Sequence, residues 1–246
     1  LDRAVLSHTA GVFSLFFIRS GTRIAFVGQS ELDLEYLQSQ SIVKYIKMTT
    51  SSNFGNMLSM LGASILLPFL PMLPIQILSQ NMLYDISQTA IPWDNMDEDF
   101  IKSPKVWHTK GTSRFMFYMG PVSSIFDYIT FALMYFLFSA CVPSSQSLFQ
   151  TGWFVEGLLS QVLVIHIIRT GKIPFIQSRA AAPVIFMTLV IAAIGLIIPY
   201  TQVGAALKMT PLPIMYYPYL AGILLSYGIL TQVVKRYFIR KYGQWL

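Results

Sequence analysis

The chain has 246 residues, of which 54% are apolar and only 11% charged, with 17 Lys and Arg against 11 Asp and Glu. An ordinary soluble domain carries roughly 25% charged residues, so this composition, with a mean hydropathy of +0.56, excludes one and describes a polytopic membrane protein. The single cysteine, Cys141, excludes a disulfide framework and a CxxC metal site.

Residues 1–43 carry one apolar stretch, AGVFSLFFI (10–18), followed by the polar and acidic ELDLEYLQSQ. The stretch is about half the length that a spanning helix needs, so the region reads as a cytoplasmic or interfacial segment. No basic start with a cleavage site opens it, so a secretory signal is not expected. From Lys44 onward, apolar runs of about 20 residues fall near 49–70, 74–91, 115–139, 152–168, 181–200 and 214–234. The expected fold is an all-α bundle of six transmembrane helices, residues 44–246, with the lipid bilayer as its solvent.

Charge orients the bundle. On this map Arg3, Arg19, Arg23, Lys44 and Lys47 precede the first run, and Lys102, Lys105, Lys110 and Arg114 lie between the second and third. Arg169, Lys172 and Arg179 lie between the fourth and fifth, and Lys235, Arg236, Arg240 and Lys241 follow the sixth. Sixteen of the 17 basic residues thus fall on one side, with Lys208 alone on the other. The positive-inside rule makes that side cytoplasmic, with the C-terminus there. Topology accounts for the net charge of +6, and no nucleic-acid partner is expected.

The first two runs, SSNFGNMLSMLGASILL and PIQILSQNMLYDISQ, hold polar side chains where a span ordinarily has none. Asn53, Asn56 and Ser59 recur every three residues, so they share a helix face. Asn81 and Asp85 are one turn apart on one face of the second run. An ionised Asp near the bilayer centre costs about 2.5–3.5 kcal/mol even on the insertion scale, and such residues face partners or cavities. Amide oxygens with one carboxylate make a hard-oxygen site that suits magnesium or calcium. Few carboxylates favour an ion that keeps part of its water, as magnesium does. The bland reading of Asp85, a core carboxylate bonded to its neighbours, stays open beside this one.

Glu156, in WFVEGLLSQ, is a second candidate for the ion path, against a helix-end carboxylate. Asp127 follows Ser123 and Ser124 and reads as a structural carboxylate bonded to them or to a neighbouring helix. His166 reads as a bonded core histidine, and His8 and His108 make no ligand pair. Asp94, Asp97, Glu98 and Asp99 form an acidic run that reads as a solvated or docking loop face. No GxxxxGK[ST], GxSxG or HExxH motif occurs, so no catalytic site is expected.

KYIKMTTSSNFGNMLS (44–59), FLPMLPIQILSQNMLYDISQ (69–88) and IPWDNMDEDFIKSPKVW (91–107) resemble the C-terminal membrane half of P-type cation-transporting ATPases. SRFMFYMGPVSSIFDYITFALM (113–134), LFQTGWFVEGLLSQVLVIHIIRTGKIPFIQS (148–178) and the ending KRYFIRKYGQW (235–245) extend the resemblance over residues 42–246. SSN..GN with QN..YD is general to P-type pumps, whereas IPWD and the GQW ending point to the bacterial magnesium-transporting branch. The resemblance implies that the six spans are family helices five to ten and that Asn56, Asn81 and Asp85 are cation ligands. Asn53 and Tyr84 match positions lining the site, and Glu156 matches a position that supplies a carboxylate in calcium-pump relatives. It implies magnesium as the transported ion, a bacterial inner membrane, and ATP acting through cytoplasmic catalytic domains. DKTGT, GDGxND and TGE are absent, and residues 1–41 do not resemble the end of a phosphorylation domain. The chain therefore resembles a fragment that would not hydrolyse ATP alone, its partner being the missing catalytic domains. A stand-alone passive channel or secondary carrier, and a non-transporting membrane interaction module, remain the competing readings.

Overall fold

The computed structural model describes residues 31–94, 109–140, 142–243 and 245, with side chains from Lys44 onward except at 109 and 110. His8, Asp97, Glu98, Asp99, His108 and Cys141 lie outside the described residues, as does most of the segment 1–43. The chain divides into two compact units, residues 1–36 and 37–246. Of the first, only the helical residues 31–36 are described. The second is the helical bundle.

Every described element is helical. Helix α1 is Glu31–Leu66 and α2 is Pro74–Gln88. Helix α3 is Thr109–Ala132, prolonged by a π-turn at Leu133–Leu137. Helix α4 is Gln146–Ile168, α5 is Ala182–Ile197, α6 is the short Gln202–Ala206, and α7 is Tyr216–Tyr242.

Four segments are long and apolar enough to cross a membrane: Gly111–Leu137, Pro143–Ile168, Ala182–Tyr200 and Tyr216–Tyr242. They correspond to the expected spans three to six, with the last longer than the apolar run implied. The expected first two spans are helical but fall short of that standard. Helix α2 has 15 residues, about 22 Å at 1.5 Å per residue, against a hydrocarbon core of about 30 Å. Helix α1 is long enough, but its polar side chains lower its hydropathy. Among the described residues, four helices thus meet the length and composition of a membrane span.

Helix α4 is the hub, packing against α2, α3, α5 and α7. Of its apolar window, 89% is buried, as expected for a helix that is hydrophobic all round. Its carbonyl end meets donors from the C-terminal part of the chain. Lys235 Nζ donates to the carbonyls of Ile167 (2.9 Å), Thr170 (3.1 Å) and Lys172 (2.8 Å). Trp245 Nε1 donates to Ile168 O at 2.8 Å. These donors satisfy carbonyls that a helix end leaves without intrahelical partners. The sequence pattern placed Lys235 in a basic tail beyond the last span. It is instead fully buried, inside α7. Gly243 ends α7 at φ 72°, the left-handed conformation that a helix stop favours, and so turns Trp245 back onto Phe115 and Phe238.

Helices α1 and α3 cross through small residues. A Cβ on Gly55 would collide with the Ser123 side chain and lie 2.9 Å from Gly120 O. Ser124 Oγ donates to Gly55 O at 2.9 Å, and Tyr128 Oη donates to Leu58 O at 2.7 Å. Close backbone approach with hydroxyl cross-links is how membrane helices associate without a hydrophobic driving force.

The turn between α1 and α2 begins the second helix with a proline at its first position, where the missing N–H costs nothing. Gln76 Oε1 accepts from Leu73 N at 3.0 Å, while its Nε2 donates to Leu207 O at 2.9 Å. Gln150 Nε2 donates to Leu70 O at 2.8 Å, and Thr210 N donates to Thr151 Oγ1 at 2.9 Å. Amide side chains thus stitch this turn and the chain after α6 to the rest of the bundle.

Candidate functional site

The polar residues of the first two runs separate into two sets. In α2, Gln76, Gln80, Tyr84, Ser87 and Gln88 are buried. Their spacing of three or four residues sets them on one face, toward the bundle. Gln88 Oε1 accepts from Thr49 Oγ1 of α1 at 3.2 Å. These side chains are interhelical bonds and packing.

Asp85 stands on the other face. It is exposed, Asn81 is half-buried, and Leu78, Met82 and Ile86 are exposed beside them. The hydroxyl of Tyr45, on α1, donates to the Asp85 carboxylate. In α1 itself, Asn53 is exposed and begins an i+4 row with Met57, Leu61 and Ile65, all exposed. Asn56 is half-buried and borders a cavity of about 20 Å³ with Ser51, Ser52, Asp127 and Gln161. The structure thus brings Asn81 and Asp85 to one face and puts Asn56 at a cavity that neither of them lines. Tyr84, next in sequence to Asp85, points the opposite way, into the apolar core with Phe126 and Tyr227. Among the described residues, no three His, Cys, Asp or Glu side chains gather as a metal cluster.

Glu156 is 1% exposed and Asp127 is 3% exposed. Their carboxyl groups are close enough to interact. Asp127 also accepts from Ser59 Oγ of α1 at 2.5 Å and from Trp153 Nε1 of α4 at 2.8 Å. Asp127 is thus bonded to neighbouring helices, while Ser123 and Ser124 bond to backbone carbonyls. His166 is the bonded histidine expected, 2.9 Å from Thr188 Oγ1 of α5.

The acidic run is corrected at its first member. The Asp94 side chain is 5% exposed and forms an ion pair with Arg169 at 2.8 Å. Asp94 Oδ1 also accepts from Ala181 N, the residue that opens α5, at 3.0 Å. Arg169 Nη2 donates to Ser178 O at 2.7 Å. Asp94 is therefore the brace joining the segment after α2 to the connection between α4 and α5, and not a solvated loop charge. The IPWD motif singled it out, but its partner lies 75 residues away, beyond what spacing can show.

The described residues form a helical bundle in which four helices are long and apolar enough to cross a membrane. The chain belongs to the cation-transporting ATPases: the family described as "Cation transporting ATPase, C-terminus" matches residues 69–237. It is 54% identical over 205 residues to the "Magnesium-transporting ATPase, P-type 1" of Salmonella typhimurium (strain LT2), covering 83% of this chain and 23% of that relative. It is 51% identical over 203 residues to the protein of the same name from Escherichia coli (strain K12), covering 82% and 23%. The chain thus spans about a quarter of the length of the curated relatives it matches.

Proposed function

We propose that residues 44–246 are the ion-pathway domain of a P-type ATPase that imports magnesium across a bacterial inner membrane. The observation that carries this reading is the likeness, over more than four-fifths of the chain, to two magnesium-transporting ATPases. In this reading α1 and α2 also span the membrane, making six spans, and Asn56, Asn81 and Asp85 hold the transported ion. Asn53, Tyr84 and Glu156 are secondary positions. ATP acts only through phosphorylation and nucleotide domains that these 246 residues do not contain, which are the proposed partner. The exposed Asp85 face supports this. A carboxylate among exposed apolar side chains is costly against lipid, and further pump helices would enclose it.

The test is a chimera in which residues 44–246 replace the matching quarter of the E. coli relative. In a strain deficient in magnesium uptake, the chimera should restore growth in low magnesium. A well-expressed chimera that fails to do so would refute the reading. Uptake by the 246-residue chain alone would favour a passive channel or carrier instead.

The charge split supports a cytoplasmic C-terminus in this reading. Alkaline phosphatase fused after Leu246 is active only outside the cytoplasm and should stay inactive. Strong activity there would overturn the orientation and the even number of spans.

A further inference from the structure

Helices α1, α3, α4 and α7 leave a cavity of about 20 Å³ where they meet. Helix α2, which carries Asn81 and Asp85, contributes nothing to its wall. About 10–15 Å³ suffices for one water, so the cavity has room for one and for little more.

Gln161 of α4 lines this cavity and is 5% exposed. Among the described residues, neither its Nε2 nor its Oε1 has a hydrogen-bond partner. A buried amide left unmatched is destabilising, and a polar side chain inside a membrane bundle ordinarily bonds across to another helix. Gln161 faces a space in place of such a partner.

The rest of the polar wall restricts what can fill that space. Ser123 Oγ donates to Gly120 O at 2.8 Å, Ser160 Oγ to Gly157 O at 3.0 Å, and Thr231 Oγ1 to Tyr227 O at 2.7 Å. Each hydroxyl thus spends its one proton on its own helix, and its oxygen is left able only to accept. Both oxygens of Asp127 are already engaged, one by Ser59 and the other by Trp153. The occupant must therefore donate to hydroxyl and amide oxygens and also accept from the Gln161 N–H. Water does both. A metal cation cannot accept a hydrogen bond and would be set beside the positive end of an N–H dipole. An apolar occupant would leave every one of these groups unmatched.

We propose that the Gln161 cavity is a hydration site for a single ordered water, bonded to Gln161 and to the hydroxyl oxygens of the neighbouring helices. Ser123 is on α3 and Thr231 on α7, so the water links α4 to both from within. Such a bridging water is nearly as good as a direct bond. The site needs no titration of a carboxyl group, and it is independent of which ion crosses the membrane.

The test is nuclear magnetic resonance of the full chain in lipid nanodiscs, with heavy nitrogen in the glutamine side chains. The signal that disappears in Gln161→Met identifies the Gln161 amide, and Gln161→Leu serves if that variant does not fold. In wild type this amide should show a rotating-frame Overhauser contact with water, opposite in sign to chemical exchange. It should be several-fold stronger than that of the exposed Gln202, which meets only surface water. Val164→Ile adds a methyl group to the cavity wall and should weaken the contact several-fold. Gel filtration and helicity establish that it is folded, and if it is not, the wild-type contact decides alone. A Gln161 contact no stronger than that of Gln202 would overturn the proposal, and so would an undiminished contact in folded Val164→Ile. Sodium chloride and magnesium chloride should each leave the contact in place. Its loss with either salt would make the cavity a cation site and overturn the assignment of water.

Discussion

Arg169→Met is expected to destabilise the bundle by about 3–5 kcal/mol, the loss typical when one partner of a buried ion pair is removed. The side chains of Arg169 and Asp94 are 2% and 5% exposed, and their charged atoms are 2.8 Å apart. Methionine fills much of the arginine's volume but leaves the Asp94 carboxylate without its counter-ion. The substitution also removes the bond from Nη2 to Ser178 O. Asp94→Asn should cost less, because its amide oxygen can still accept from Ala181 N at the start of α5. It still leaves the Arg169 charge unbalanced. The double variant Asp94→Asn/Arg169→Met should recover part of the loss, since neither charge is then stranded. Unfolding in mixed micelles measures all three against wild type, and the cycle isolates the coupling between the two residues. A loss below about 1 kcal/mol for Arg169→Met, the range of exposed pairs, would show that solvent reaches the brace.

Hydropathy located the four apolar spans because their length and composition alone set them apart. The edges were less accurate, and for a physical reason. Helix α7 runs on to Tyr242, with Lys235 inside it bonded to one carbonyl in the last turn of α4 and two in the segment just after it. A charge count sees a lysine, not its acceptors. The polar residues of α2 show a different limit. Composition marks Gln76, Gln80, Asn81, Asp85 and Gln88 as one unusual group, yet the helix divides them. Gln76, Gln80, Tyr84 and Gln88 recur at i+4 and face the bundle, while Asp85 joins Leu78, Met82 and Ile86 outside. That period was present in the sequence and would have separated ligand candidates from interhelical bonds. The carboxyl pair was not readable at all. Asp127 and Glu156 lie on different helices, and nothing in either stretch states that the two will meet. Their proximity comes from how α3 packs against α4, as does the bond from Trp153 to Asp127.

Asp85→Asn, placed in the chimera that carries the relative's catalytic domains, should abolish growth in low magnesium while membrane expression stays normal. Asp85 is the only acidic residue of the two polar runs, 49–70 and 74–91, and so the only formal negative charge that they can offer a divalent cation. The amide keeps the shape and can still accept from Tyr45, which donates to Asp85. Folding should therefore survive, and an uncharged side chain on an exposed face is cheaper in a bilayer than an ionised one. A purely structural Asp85 would tolerate the change. A ligand would not: bonds to a charged group are worth about 1.5–3 kcal/mol, and losing one weakens affinity about ten- to hundredfold. Asn81→Ala and Asn56→Ala should weaken uptake less, because each removes a neutral oxygen that water can partly replace at magnesium. Asn56→Ala carries a further distinction, since Asn56 borders the Gln161 cavity and not the Asp85 face. If the two asparagines serve one ion, their losses should be coupled in a double variant and fall short of additive. Wild-type growth by a well-expressed Asp85→Asn chimera would remove Asp85 from the ion path, and additive asparagine effects would assign Asn56 to the cavity instead.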